Sequence, residues 1–115
     1  MHHEIIIAVN DLVLCRFFYR EMLLLGEPVA DSCDNVIFDL GGTNYLMLCR
    51  TGATFLEHTS SAVSFAIEHP EFAKIKNKLI EQHYPVVDCG RKAGRDSFRT
   101  NDPEGNPVLL LCPAD

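Results

Sequence analysis

The same order of apolar segments runs through this chain twice, and that repetition constrains its fold more than any single motif. Ile5 to Val9 is short and β-branched, so it reads as a strand, and Asn10-Asp11 supplies a turn in which Asp11 caps a helix. Leu14, Phe17, Phe18, Met22 and Leu25 then recur at helical spacing, with Arg16 and Arg20 away from the stripe, until Gly26 ends the element. Val29-Ala30, Asn35 to Leu40 and Tyr45 to Cys49 have β character, the last two joined by Gly41-Gly42-Thr43, which completes a β-α-β-β-β unit. After a small and polar linker, Thr51 to Ser60, the pattern restarts with a strand at Ala62 to Ile67 and Pro70 at a helix start. Phe72, Ile75, Leu79 and Ile80 form the second stripe, Lys74 and Lys78 lie off it, and Tyr84-Pro85 prevents continuation. Val86-Val87, Ser97 to Thr100 and Val108 to Cys112 read as strands, with Asp102-Pro103-Glu104-Gly105 as a tight turn before the last.

Aligned by pattern, Val9 falls on Ile67, 58 positions on, and Met47 on Leu109, 62 positions on, so about four extra residues lie between in the second half. They fall around Asp88 to Arg95, whose glycine and arginine content predicts a mobile loop. A chain of 115 residues suits a single domain, 1–115, made of two modules, 1–52 and 60–115. The net charge of −6 argues against a nucleic-acid partner. The longest apolar stretches, Ile5 to Val9 and Val108 to Cys112, are far shorter than the roughly 20 residues of a membrane helix. Met1-His2-His3-Glu4 lacks the character of a secretory signal, so a cytoplasmic location is expected. Five cysteines, an odd number without a Cys-x-x-Cys pair, read as reduced core thiols.

Val9-Asn10-Asp11-Leu12, then Phe18-Tyr19, Leu25-Gly26 and a late Asp102-Pro103-Glu104-Gly105-Asn106 before an apolar strand occur in that order along almost the whole chain. With the repeated unit, they resemble the glyoxalase/bleomycin-resistance/extradiol-dioxygenase superfamily, also called vicinal oxygen chelate proteins. The resemblance implies an α+β fold of two βαβββ modules, each a half-cup with its helix outside, closing an eight-stranded cup around a ligand. It also implies a homodimer, because the two modules of one cup often come from different chains. Ile5, Ile7 and Val9 would then lie under a helix while Glu4, Ile6 and Ala8 line the cup, which accounts for a strand without apolar/polar alternation.

Enzymes of that superfamily hold a divalent metal through side chains on the first and last strand of each module. The matching positions here are Glu4, Met47, Ala62 and Leu109, of which only Glu4 is a usable donor. Shifting the first strand by one residue would bring in His3 and leave the other three positions unchanged. His2, His3 and Glu4 form a terminal cluster that reads as a solvated tip or a site for a stray metal. His58, His69 and His83 sit in the linker, beside Pro70 and near the end of the second helix. No metal and no cofactor are therefore expected, and no nucleophile motif stands out.

Alternation along the first and last strands points Glu4, Ile6, Ala8, Tyr45, Met47, Cys49, Ala62, Ser64, Ala66, Pro107, Leu109 and Leu111 inward. That lining is apolar with a few polar points, as in an organic-ligand pocket or a filled barrel. Tyr45 suits stacking on a planar ligand or plain packing, and Glu4 either reaches solvent at the strand start or meets a cationic ligand. Arg91, Lys92 and Arg95 in the extra segment, with Arg99 just beyond, oppose Glu4 by offering grips for a carboxylate or phosphate. A buried carboxylate discriminates more strongly than mobile loop charges, so a cationic or neutral aromatic ligand is expected. The function that follows is a metal-free protein sequestering a drug or metabolite, as bleomycin-resistance proteins do. The alternative is a metal-dependent lyase, isomerase or dioxygenase with non-standard ligands.

Overall fold

The structure is a computed structural model and describes residues 3–51 and 65–113. The chain divides into two compact units, Met1–Val63 and Ser64–Asp115, each carrying one four-stranded mixed sheet. The first contains β1 (His3–Val9), α1 (Leu12–Phe17), a π-turn (Phe18–Met22), β2 (Ala30–Asp31), β3 (Asn35–Gly41) and β4 (Asn44–Arg50), with sheet order β1-β4-β3-β2. The second contains β5 (Phe65–Glu68), α2 (Phe72–Glu81), β6 (Val87–Lys92), β7 (Arg95–Asn101) and β8 (Pro107–Leu111), in order β5-β8-β7-β6. The βαβββ unit thus occurs twice with one topology: the first strand pairs parallel with the last, and the other pairings are antiparallel.

Each sheet buries one face against its helix. In the first module Ile7, Val9, Val36, Phe38, Leu46 and Leu48 are buried, and the Phe38 ring lies 6.4 Å from that of Tyr19 beyond α1. In the second, Ile67, Phe98, Val108 and Leu110 are buried, and Phe72 of α2 stacks at 5.1 Å on Phe98. Removing these side chains from water is the main favourable contribution to each unit, about 1.5–3 kcal/mol per large residue.

The helices depart from the sequence reading in phase. Asp11 does cap α1, its Oδ1 accepting from the Leu14 N–H at 3.0 Å. Starting the helix at Leu12 turns Leu12 and Cys15 inward, and leaves Val13, Leu14 and Phe17 at 79%, 44% and 49% exposure. All of Leu12-Val13-Leu14-Cys15 is apolar, so the sequence offers two stripes and only the cap chooses between them. After Phe17 the backbone widens, the Leu23 N–H donating to the Phe18 carbonyl five residues back, and this π-turn buries both Phe18 and Tyr19. In α2, Ile75 and Leu79 are buried as expected while Ile80 is half-exposed.

The extra segment is not a mobile loop. Asp88 to Arg95 forms the β6–β7 hairpin, with Val87 opposite Arg99, Arg91 opposite Asp96 and Lys92 opposite Arg95. Ala93 and Gly94 both take positive φ, 53° and 76°, as a two-residue primed turn requires. Gly90, at φ 70°, accommodates a bulge between Asp88 and Gly90. β6 lies at the sheet edge and is polar on both faces, so no apolar period marks it.

The Asp102 turn before β8 is built as its sequence suggests. The buried Asp102 carboxylate accepts from the Glu104 and Asn106 backbone N–H groups, both at 2.9 Å, and from the Asn106 side-chain amide. No helix among the described residues is long and apolar enough to cross a membrane.

Candidate functional site

Strand pairing sets which residues share the helix-free face of each sheet, because directly paired residues point the same way. In the first module the rows are Glu4–Tyr45–Asp39, Ile6–Met47–Ile37 and Ala8–Cys49–Asn35. Five of the expected lining residues, Glu4, Ile6, Tyr45, Met47 and Cys49, therefore stand on one surface. Ile6, Tyr45 and Met47 are half-buried, Cys49 is fully buried and Glu4 is exposed. Burial pushes the Cys49 thiol above its ordinary range, which keeps it protonated and inert at neutral pH.

A hollow of about 390 Å³ opens on this surface, lined by Glu4, Val29, Ile37, Thr43 and Tyr45. Val29, Ile37 and Thr43 escaped the sequence reading, which carried alternation along the first and last strands only. The signal was present in Asn35-Val36-Ile37-Phe38-Asp39, where Val36 and Phe38 are buried and Ile37 lies on the opposite side.

In the second module the helix-free rows are Ala66–Leu109–Arg99–Val87 and Glu68–Leu111–Ser97–Gly90. Leu109 is half-buried, and Ala62 and Ser64 lie outside the described residues. Arg95 does not form part of a mobile loop; it projects from β7 and pairs with Glu68. Arg91 likewise pairs with Asp96 at 3.2 Å and with the Gly94 carbonyl. The premise that favoured a cationic ligand is overturned on both sides, since Glu4 is exposed and the basic residues are held on strands.

The metal positions of the resembled fold can be tested on donor chemistry. Met47 stands between Ile6 and Ile37, and Leu109 between Ala66 and Arg99. Neither side chain donates to a hard divalent cation, and the neighbouring guanidinium opposes one. No group of three or more His, Cys, Asp and Glu suited to a metal stands among the described residues. Among the described residues, Met47 and Leu109 do not fit the metal of the resembled fold. His69 is engaged locally, its Nδ1 accepting from the Glu71 N–H at 3.0 Å, and His83 follows the end of α2.

A second hollow of about 530 Å³ lies at the far end of β1, spanned by Arg16, whose Nε and Nη2 donate to Asp31 Oδ2 at 2.9 and 2.6 Å. The hydrogen bond to Asp31 raises the Arg16 guanidinium above its ordinary value, so this side chain stays cationic. Cys33 is exposed in this hollow, unlike a core thiol.

No protein-family model matches the sequence, and no curated protein matches it. Solved structures do match over nearly the full length. A lactoylglutathione lyase from Agrobacterium tumefaciens is 24% identical with a TM-score of 0.72, covering 97% of this chain and 92% of that one. A glyoxalase/bleomycin resistance protein from Catenulispora acidiphila is 14% identical with a TM-score of 0.73, over 99% of both chains. An integron cassette protein from the mobile metagenome of the Halifax Harbour sewage outfall is 20% identical with a TM-score of 0.68, over 98% of both. The fold of this chain is the glyoxalase/bleomycin-resistance fold, as the βαβββ repeat implied.

Proposed function

We propose that the protein is a small-molecule-binding member of the glyoxalase/bleomycin-resistance superfamily that holds an organic ligand through side chains and not through a metal. The observation that carries this reading is the hollow of about 390 Å³ on the first module's helix-free face, where Ile37 and Val29 supply apolar wall, Tyr45 an aromatic ring and Glu4 a charge. That size and mixture suit a ligand of modest size, since organic-ligand pockets are mostly apolar with a few polar groups fixing orientation. Met47 and Leu109, where donors would be needed, support side-chain binding over Lewis-acid chemistry. The similar structures include a lactoylglutathione lyase and a glyoxalase/bleomycin resistance protein, and the donor chemistry at Met47 and Leu109 favours binding without a metal for this chain.

A thermal-shift screen of small aromatic compounds, run with chelator present, tests the reading. Compounds that raise the melting temperature of the parent are expected to lose that effect in Tyr45→Ala and in Ile37→Arg, which fills the hollow. Hits that need an added divalent cation, or that both variants leave untouched, refute it.

The protein is also proposed to act as a homodimer. In each sheet β1 or β5 stands at an edge, and an open edge beside a partly apolar face favours association. Sedimentation at micromolar concentration is expected to give a dimer, and a concentration-independent monomer removes this part of the proposal.

A further inference from the structure

The chain is acidic overall, yet one of its sheet faces is basic. On the helix-free face of the second module, Arg99, Arg95 and Lys92 stand against a single acid, Glu68. Four of the arginines are committed: Arg16 to Asp31, Arg20 to Glu27, Arg91 to Asp96 and Arg95 to Glu68. Arg99 differs from them. It is exposed, projects from an inner strand between Leu109 and Val87, and makes no ion pair with any described residue. Its immediate neighbours across the sheet are alkyl groups, and the one acid among the described residues of this face, Glu68, is held by Arg95.

We propose that this face binds an organic oxyanion, with Arg99 receiving its carboxylate or phosphate and Leu109 and Val87 bordering its apolar body. The inference rests on the small-molecule reading above and adds to it a separate, anion-selective site on the second module. A guanidinium presents paired N–H donors that match the two oxygens of a carboxylate or phosphate, and the adjoining alkyl side chains offer contact to the ligand's apolar part. The overall charge of −6 acts against anions at long range, but it is screened within roughly 8 Å at physiological salt, so the contacting residue decides. Glu68 tempers the face by holding Arg95, and this makes Arg95 a reserve cation.

The test is titration of the full chain with benzoate and phenyl phosphate, with benzylamine and benzyl alcohol as cationic and neutral counterparts, followed by the Nε–Hε resonances of ¹⁵N-labelled arginine. The two anions are expected to bind and to shift the Arg99 signal. Arg99→Gln should weaken them by about tenfold or more, the size of a lost hydrogen bond to a charged group. Arg99→Lys should retain part of the affinity, and Arg50→Gln, on the first module, should retain all of it. Glu68→Gln, which releases Arg95, should tighten anion binding. Benzyl alcohol or benzylamine binding as well as benzoate, or anion affinity unchanged in Arg99→Gln, overturns the inference and leaves the small-molecule reading in place. If none of the four probes binds, the inference falls, and the small-molecule reading is decided by the screen on the first module's hollow.

Discussion

The helix-covered and helix-free faces of the two modules diverge to different degrees. Under the helices the modules use the same kind of packing: a sheet ring meets a ring of the helical segment, Phe38 on Tyr19 in the first and Phe98 on Phe72 in the second, although the rings stand in different rows, Phe38 opposite Leu46 and Phe98 opposite Leu110. On the open faces they differ in charge, with Glu4 and Asp39 as the charged residues of the first and a basic excess on the second. The covered face must fill a fixed volume against a helix, which leaves little choice of residue. The helix-free face is packed only in part, with Cys49 and Ser97 buried, and chemistry can be written on the rest of it without loss of fold.

If the covered faces are equivalent, truncating either central ring should cost alike. Phe38→Ala and Phe98→Ala are each expected to lose about 3–5 kcal/mol in urea unfolding, and a loss below about 1 kcal/mol in either would break the equivalence. The two modules close their last hairpins differently, which gives a smaller effect. Asp102 is buried and satisfies three donors, whereas Asp39 is exposed and accepts from the Gly41 N–H at 2.8 Å. Asp102→Ala should cost about 1–3 kcal/mol and Asp39→Ala less than about 1 kcal/mol, read by the same melts.

The smallest effect concerns Cys49. Its thiol is raised in the folded state by burial, so above the ordinary thiol value of about 8.5 the unfolded chain releases its proton first. Stability should therefore be unaffected by this group at neutral pH and fall as pH rises past that value. Cys49→Ala should flatten the decline. Iodoacetamide at pH 7.5 is expected to label the exposed Cys33 well before Cys49, and the reverse order would show that the first module's open face is accessible at Cys49.

Topology was legible because the β-α-β-β-β order is written twice in apolar runs and turn residues, and Asp11 and Asp102 each carry out the local hydrogen bonding their motifs imply. What stayed hidden has physical causes. The phase of α1 depended on which of four consecutive apolar residues turned inward, and a π-turn has no period to read. The β6–β7 hairpin was masked because an edge strand with charges on both faces lacks alternation, leaving only the Ala93-Gly94 turn as a clue. Of the residues lining the hollow, Glu4 and Tyr45 follow from alternation along the first and last strands, while Ile37 and Val29 require the pairing of β3. Arg99 was visible as a basic residue, but its face and lack of an acidic partner depend on register across three strands.

On the proposed function, side chains and not a metal hold the ligand. The most direct measurement is elemental analysis of untagged protein purified without chelator and passed through gel filtration. Far less than one equivalent of manganese, iron, nickel, zinc or copper per chain is expected, because Met47 and Leu109 offer no hard-cation donor. A stoichiometric metal that survives gel filtration would contradict the account and return the protein to the metalloenzyme branch of its fold.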